Sequence, residues 1–317
     1  VQDLLDELQN LGVGCYVGNT FLGAIAWADD FLLLAPNRAA MQIMLDVAAD
    51  FGVRNNLEFS CDPDPVKTKS KAIYMVGKKT DLEKPMNLQL YGKPLPWVAH
   101  ATHLGHEFHE DGTMSMDSRM KRGSFIGRSL EVREAFSFAA PTQVLGAVKL
   151  FASDLYGGML WRLDDEPALQ VTRCWHTCVK DVWGVSRATH TATVRWLSSP
   201  HTSLREDLLA RWVKYFQSCL RSASLEVSTI ARIAAGDLRT TTGANNQIIR
   251  DLGLDPSSTS PAEVRLKVRE SQPEESEEQM ARLGLLLELL ERRGEVYTQG
   301  GEQEDEINEI IDFLCTK

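Results

Sequence analysis

Apolar residues at Val1, Leu4, Leu5, Leu8 and Leu11 recur at helical spacing and stop at Gly12, so residues 1–11 are expected to form a helix. From Gly12 the texture changes to short β-prone runs. Residues 13–17 and 21–28 flank Gly18-Asn19-Thr20, a hairpin signature. A second reversal follows at once, with 21–28 leading into Asp29-Asp30 and then into 31–35. The runs on either side are almost wholly apolar, which predicts strands buried on both faces and an Asp pair at the apex of the turn. Asn37 can then cap a helix over 38–51 that buries Met41, Met44, Leu45 and Ala48.

Weaker strands are expected at 56–60, 72–76, 86–91 and 101–108, with Asp62-Pro63-Asp64-Pro65 and Gly92-Lys93-Pro94 as turns. After Asp117 the pattern becomes helical, over 118–139, 141–161, 167–183 and 204–222. Residues 240–246 read as a polar break, and 257–261 and 271–276 as linkers. Ser276-Glu277-Glu278-Gln279 reads as a capping box for a helix over 279–293. The fold class expected is α+β: a small antiparallel sheet with helices on one face, followed by helical regions. No internal repeat is present.

Composition narrows the class. The 317 residues are 43% hydrophobic and 25% charged, which excludes collagen-like, low-complexity and wholly disordered chains. The longest apolar runs, 31–36 and 283–290, fall far short of the ~20 residues of a membrane span, so no membrane partner is expected. The chain opens at Val1 inside a helical pattern, as a piece of a longer chain would. Six cysteines in a chain of this size do not make a disulfide framework, and reduced, intracellular thiols are expected. The net charge of −10 conceals a division. Residues 1–117 carry 9 Lys/Arg against 16 Asp/Glu, 118–250 carry 18 against 11, and 251–317 carry 7 against 17. A middle third of net +7 between acidic ends leaves room for a polyanionic partner, because local field matters more than total charge.

Two adjacent carboxylates on a hairpin apex suit a divalent cation. Mg²⁺ prefers hard oxygen ligands and is usually held by one or two carboxylates plus substrate phosphates. Nucleotidyl transfer by two metals needs carboxylates that fix the ions about 4 Å apart. An Asp-Asp turn is also common for local reasons, since Asp bonds its own backbone. The apolar strands around this pair set it apart.

Those residues carry a resemblance. Ala26-Trp27-Ala28-Asp29-Asp30-Phe31 and the run to Pro36 resemble the aromatic-Ala-Asp-Asp motif of reverse transcriptases of non-LTR (LINE-type) retrotransposons. Gly12–Gly18 and Phe21-Leu22-Gly23-Ala24 are similar to the preceding hairpin of jockey-like and chicken-repeat-like elements. Lys69-Ser70-Lys71 resembles the next motif, and Thr102-His103-Leu104-Gly105 the primer-grip hairpin. Residues 174–191 (CWHTCVKDVWGVSRATHT), Ser203-Leu204-Arg205-Glu206 and Thr240-Thr241-Thr242-Gly243 resemble the helical region after the polymerase, and 294–317 its carboxyl end.

The resemblance implies an RNA-directed DNA polymerase using two Mg²⁺ ions, an RNA template, a DNA 3′-end as primer and dNTPs. Asp29 and Asp30 would be the catalytic metal ligands. Trp27, Lys69 and Lys71 would lie at the incoming nucleotide, with His103, Leu104 and Gly105 in the primer grip. It divides the chain into the carboxyl half of a palm (1–80), a primer-grip-like hairpin (81–115), a helical thumb (116–165), a helical carboxyl region (166–255) and an acidic helical tail (256–317). Two departures stand out. Trp27 occupies a position usually held by Phe or Tyr, and the family's first metal-binding Asp belongs upstream of this hairpin. The fragment is therefore expected not to polymerise alone. The rival expectation is a non-catalytic nucleic-acid-binding module from a degenerate or host-retained element.

Other constellations read more plainly. His100, His103, His106 and His109 recur every three residues, but on one strand that spacing sends successive rings to opposite faces, and no metal site is expected. Cys174, His176 and Cys178 are too few for a zinc site. Trp161, Trp175, Trp183, Trp196 and Trp212 are expected in the core, although Arg173, Lys180, Arg187, Arg195, Arg205, Arg211 and Lys214 interleave with them as on an RNA-binding surface. In the presumed thumb Arg119, Lys121, Arg122 and Arg128 are the candidate phosphate contacts.

Overall fold

A computed structural model describes residues 1–75, 87–271, 277–296 and 303–316. The expected boundary at 80/81, the end of the strand at 72–76, the start of that at 86–91 and the capping box opened by Ser276 fall outside these residues. The chain is α+β. It divides into two compact units, Val1–Asp117 with Arg221–Ile233, and Ser118–Leu220 with Ala234–Lys317. Among the described residues no helix is long and apolar enough to cross a membrane.

The first unit opens with α1 (Gln2–Asn10), whose Leu4 and Leu8 are fully buried. Strands β1 (Tyr16–Val17) and β2 (Thr20–Phe21) pair around Gly18-Asn19, and β3 (Ala24–Trp27) and β4 (Asp30–Leu33) pair in register Ala24↔Leu33 through Trp27↔Asp30. The expected continuous strand 21–28 is thus broken. Gly23 lies at the break because its Cα packs against Gly14: a Cβ on Gly14 would stand 2.9 Å from the Gly23 Cα and 2.8 Å from the Phe21 ring. Backbone bonds from Cys15 N to Leu34 O (3.0 Å) and Leu34 N to Gly23 O (2.7 Å) tie the two hairpins together.

Helix α2 (Arg38–Arg54) begins where expected, with Asn37 Oδ1 accepting from Ala40 N at 2.9 Å. It buries Met44, Ala48 and Phe51 against α1 and the inner side chains of the hairpins, Phe21, Ala24, Phe31 and Leu33. Met41 is only half-buried.

Two further hairpins follow, β5 (Gln89–Leu90) with β6 (Lys93–Pro94), and β7 (His100–His103) with β8 (His106–His109). Gln42 on α2 bonds both backbone groups of Gln89, donating to O and accepting from N at 2.9 Å each, and so closes one edge of β5. Three expectations are corrected here. Residues 56–60 form no ladder; Asn56 sits at φ 54° and Phe59 N donates instead to the Tyr91 hydroxyl. Around 72–76 only a single bridge from Ala72 to Trp97 forms. Residues 101–108 make a hairpin rather than one strand, because Leu104 and Gly105 (φ 49° and 76°) form its two-residue loop. Among the described residues, the single small sheet is replaced by four two-stranded ones.

In the second unit α3 (Ser115–Ala135), α4 (Pro141–Phe151), α5 (Glu166–Trp183), α6 (Thr191–Ser198) and α7 (Leu204–Leu220) surround Trp161, Trp175 and Trp212, each almost wholly buried. Helix α8 (Leu225–Ala235), most of which belongs to the first unit, precedes α9 (Thr241–Asp251), α10 (Pro261–Glu270), α11 (Glu277–Val296) and α12 (Gln303–Thr316). The helix expected to reach 161 stops at Phe151, and α6, α8, α10 and α12 were not expected.

The polar break at 240–246 is in fact a helix. Thr240 caps it, accepting from Gly243 N at 2.9 Å. Asn245 and Asn246 are fully buried, not solvated. Asn245 donates to Trp161 O (2.8 Å) and accepts from Leu163 N (2.9 Å), while Asn246 accepts from Trp212 Nε1 (3.1 Å). Asn245 thereby saturates two backbone groups that would otherwise be orphaned, so a polar sequence here builds core. Ser257–Pro261 is likewise no linker: Ser260 and Glu263 form a capping box that opens α10.

Candidate active site

Trp27 and Asp30 close the β3–β4 hairpin as a cross-strand pair, so the loop between them is Ala28-Asp29. This corrects the expected apex by one residue: Asp29 is in the turn and Asp30 is the first residue of β4. Ala28 has φ 55° and Asp29 does not, the pattern of a type II′ turn, whose first central position favours Gly. An alanine held there stores local strain of about 1 kcal/mol or more.

Cross-strand partners point to the same face of a hairpin. Ala24, Phe31 and Leu33 face the core, which leaves Ile25, Trp27 and Asp30 on the other face. Trp27 is 71% exposed and Ile25 45%. The strands are therefore buried on one face only, against expectation. The small inner residues Ala24 and Ala26 let the hairpin lie close to α1 and α2, and the bulky residues are left outward. Asp29 and Asp30 are both exposed.

Lys69 and Lys71 lie in a loop folded around the buried Thr68, whose hydroxyl donates to Ser60 O (3.0 Å) and accepts from Ser70 N (3.2 Å). Both lysine side chains are exposed, and no hydrogen bond or ion pair joins them to Asp29 or Asp30. Lys67 stands 3.7 Å from Asp64. On the β7–β8 hairpin His103 is half-buried with its ring 6.3 Å from that of Phe108, and Leu104 and Gly105 form the exposed tip.

The donor set decides which metal the turn could hold. Two adjacent exposed carboxylates offer hard oxygens, which fits Mg²⁺ with waters and phosphates completing its shell. No group of three or more His, Cys, Asp or Glu side chains that could hold a metal assembles among the described residues.

The presumed thumb cations do not form one stripe. Arg119 and Arg128 are nine residues apart on α3, half a turn out of phase, and so lie on opposite sides. Lys121 sits over the Tyr156 ring (5.8 Å), and Arg122 Nη1 donates to Gln170. Elsewhere in the basic third the cations are largely engaged: Arg133 and Arg187 with Asp181 (3.1 and 2.7 Å), Arg173 with Glu166 (2.5 Å), and Lys149 with Asp207. Of the interleaved tryptophans, Trp161, Trp175, Trp183 and Trp212 are buried and offer no face to a base. Burial pushes the Cys178 thiol up to about 11, away from the thiolate a metal would need.

Sequence reasoning missed the inward-facing carboxylates, the buried Glu206 and the half-buried Asp207. Glu206 forms a capping box with Ser203 and pairs with Arg269 at 2.7 Å, while Asp207 takes Lys149, Thr202 and Arg265. The Ser203-x-x-Glu206 spacing was the available signal. A comparison with models of protein families finds no match to this chain, and a search of curated proteins finds none.

Proposed function

We propose that the chain is the carboxyl part of an RNA-directed DNA polymerase of the LINE type, with the β3–β4 turn as its metal platform. The observation that carries this reading is the strained two-residue turn that presents Asp29 and Asp30 to solvent beside an exposed Trp27, on a hairpin fixed from behind by a packed core. Asp29 and Asp30 would hold Mg²⁺, which when bound neutralises phosphate charge and stabilises the attacking and leaving oxygens. Trp27, on the same face as Asp30, would bear on the base or sugar next to the reacting phosphate. Lys69 or Lys71 would meet the triphosphate, and the tip at Leu104-Gly105 with His103 would support the primer end.

RNA template contact by the second unit rests on its few exposed cations, Arg119 and Arg128 among them. The non-catalytic reading gains from the lack of a third metal ligand among the described residues, and for residues 1–317 alone it predicts the same silence in a polymerase assay. Primer extension on an RNA template separates the two. Residues 1–317 should give no product, and the chain joined to an upstream palm and fingers should extend the primer in Mg²⁺ and lose this with Asp29→Ala. Efficient synthesis by residues 1–317, or by the Asp29→Ala form of the longer chain, would sink the assignment of the turn.

A further inference from the structure

The four histidines that would alternate on one strand are rearranged by the hairpin. His100 stands directly across from His109, and His103 from His106. Glu110 N donates to Ala99 O at 2.8 Å, which makes 99/110 a hydrogen-bonded pair and 100/109 the adjoining non-hydrogen-bonded pair. Side chains approach closest at such pairs. His100 and His109 therefore share one face, together with Thr102 and Glu107.

Each of the two rings is held through Nδ1, His100 by a carboxylate and His109 by Asp111. His100 Nδ1 contacts Glu107 Oε1, and Glu107 is itself buried and fixed by Thr102 Oγ1, which donates to Oε2 at 2.7 Å. His109 Nδ1 accepts from Asp111 N at 3.3 Å and also lies 3.1 Å from Asp111 Oδ1. At His100 the carboxylate on Nδ1 selects the Nδ1–H tautomer and leaves the Nε2 lone pair available, as in metal-bound histidines whose second nitrogen is held by a carboxylate; at His109 a metal on Nε2 would move the ring proton to Nδ1, where Asp111 Oδ1 can accept it. Neither Nε2 has a hydrogen-bond partner among the described residues. The His100 side chain is 51% exposed and that of His109 30%, so an ion can reach both.

We propose that His100 and His109 form a two-imidazole site for a borderline divalent transition metal, of which Zn²⁺ is the test case, at the base of the β7–β8 hairpin. With two protein ligands the ion keeps waters in its remaining positions, so the site is open and exchangeable rather than a closed structural one. It is chemically distinct from the Asp29–Asp30 turn, where hard oxygens favour Mg²⁺. Burial pushes the thiols of Cys61, Cys174, Cys178 and Cys315 up, which keeps them protonated and poor competitors. The site does not depend on the polymerase reading.

The test is calorimetric titration of Zn²⁺ into the full chain in excess Mg²⁺, with thermal melts of every variant to show folding. One ion should bind per chain, and His100→Ala and His109→Ala should each weaken it about tenfold or more, while His103→Ala, on the opposite face, leaves it within about twofold. Long-range ¹H–¹⁵N spectra should place the proton of the free His100 ring on Nδ1 and show Zn²⁺ shifting Nε2 of both rings. Binding unchanged in both His100→Ala and His109→Ala, binding lost equally in His103→Ala, or Zn²⁺ shifts confined to other histidines would overturn the site.

Discussion

In the first unit the polar residues singled out by sequence, Asp29, Asp30, Lys69 and Lys71, stand exposed at a hairpin end or a loop with no side-chain partner among the described residues. In the second unit the corresponding polar motifs turn inward. Glu206 and Asp207 bind Lys149, Arg265 and Arg269, and Asn245 is sealed in the core with its amide oxygen and nitrogen both bonded. The difference shows how to read such motifs. A polar group saturated within its own chain is scaffold, because pulling it away to meet a ligand leaves a buried partner unpaired. A polar group held rigidly but left unsatisfied is free to bind. The β7–β8 hairpin combines both, with saturated Glu107 carrying the exposed His100.

The largest effect should come from Asn245. Asn245→Ala would orphan Leu163 N and Trp161 O in the core, and at about 1–3 kcal/mol for each buried group the cost should be about 4 kcal/mol in denaturant unfolding. A cost below about 1 kcal/mol would show that this motif is not scaffold.

Next comes the Lys149–Asp207 pair, about 15% exposed on each side. Asp207→Asn should cost about 3 kcal/mol, since it leaves the half-buried Lys149 charge poorly compensated, and Lys149→Met should cost less because Asp207 keeps Arg265 and Thr202. Burial works to raise the Asp207 carboxyl, but Lys149, Thr202 and Arg265 outweigh it and hold it below the usual carboxylate range. A depressed carboxylate adds stability above its ordinary value near 4, and that contribution is lost as pH falls through the folded-state value. Acid titration of stability should therefore be flatter in Asp207→Asn than in the parent below about pH 4.

Much of the first unit was legible because it rests on local signals. Helix α1, the Asn37 cap of α2 and the reversal at Asp29-Asp30 each follow from a few adjacent residues. The exact loop was not, since whether Asp30 pairs with Trp27 or joins the turn depends on how Gly14 and Gly23 pack across the chain. The second unit defeated composition for a related reason. Thr240–Asn246 looks solvated until α7 and the Trp161–Leu163 segment supply the partners of its amides, and those partners lie 34 to 84 positions away. Ser203-x-x-Glu206 and Ser260-x-x-Glu263 carried a local signal, the capping-box spacing. In α3 the basic residues are visible in the sequence, and a 100° step per residue puts Arg119 and Arg128 on opposite sides of the helix.

A smaller effect sharpens the comparison at the turn itself. Ala28→Gly should stabilise the protein by about 0.5–1 kcal/mol by removing the cost of φ 55° in alanine, seen as a raised midpoint in thermal melts. Asp29→Asn should change stability by less than about 0.5 kcal/mol, because an exposed side chain without partners contributes little. Together they would show a turn whose residue identity is not set by folding.

The claim that this turn is a free metal platform is tested most directly by Mn²⁺, a paramagnetic carboxylate-seeking substitute for Mg²⁺, added in small amounts to the isotope-labelled chain. The amide signals of residues 28–31 should broaden first, excess Mg²⁺ should restore them, and Asp29→Asn with Asp30→Asn should abolish the effect. Broadening that begins elsewhere, or persists at these amides in the double variant, would contradict the account.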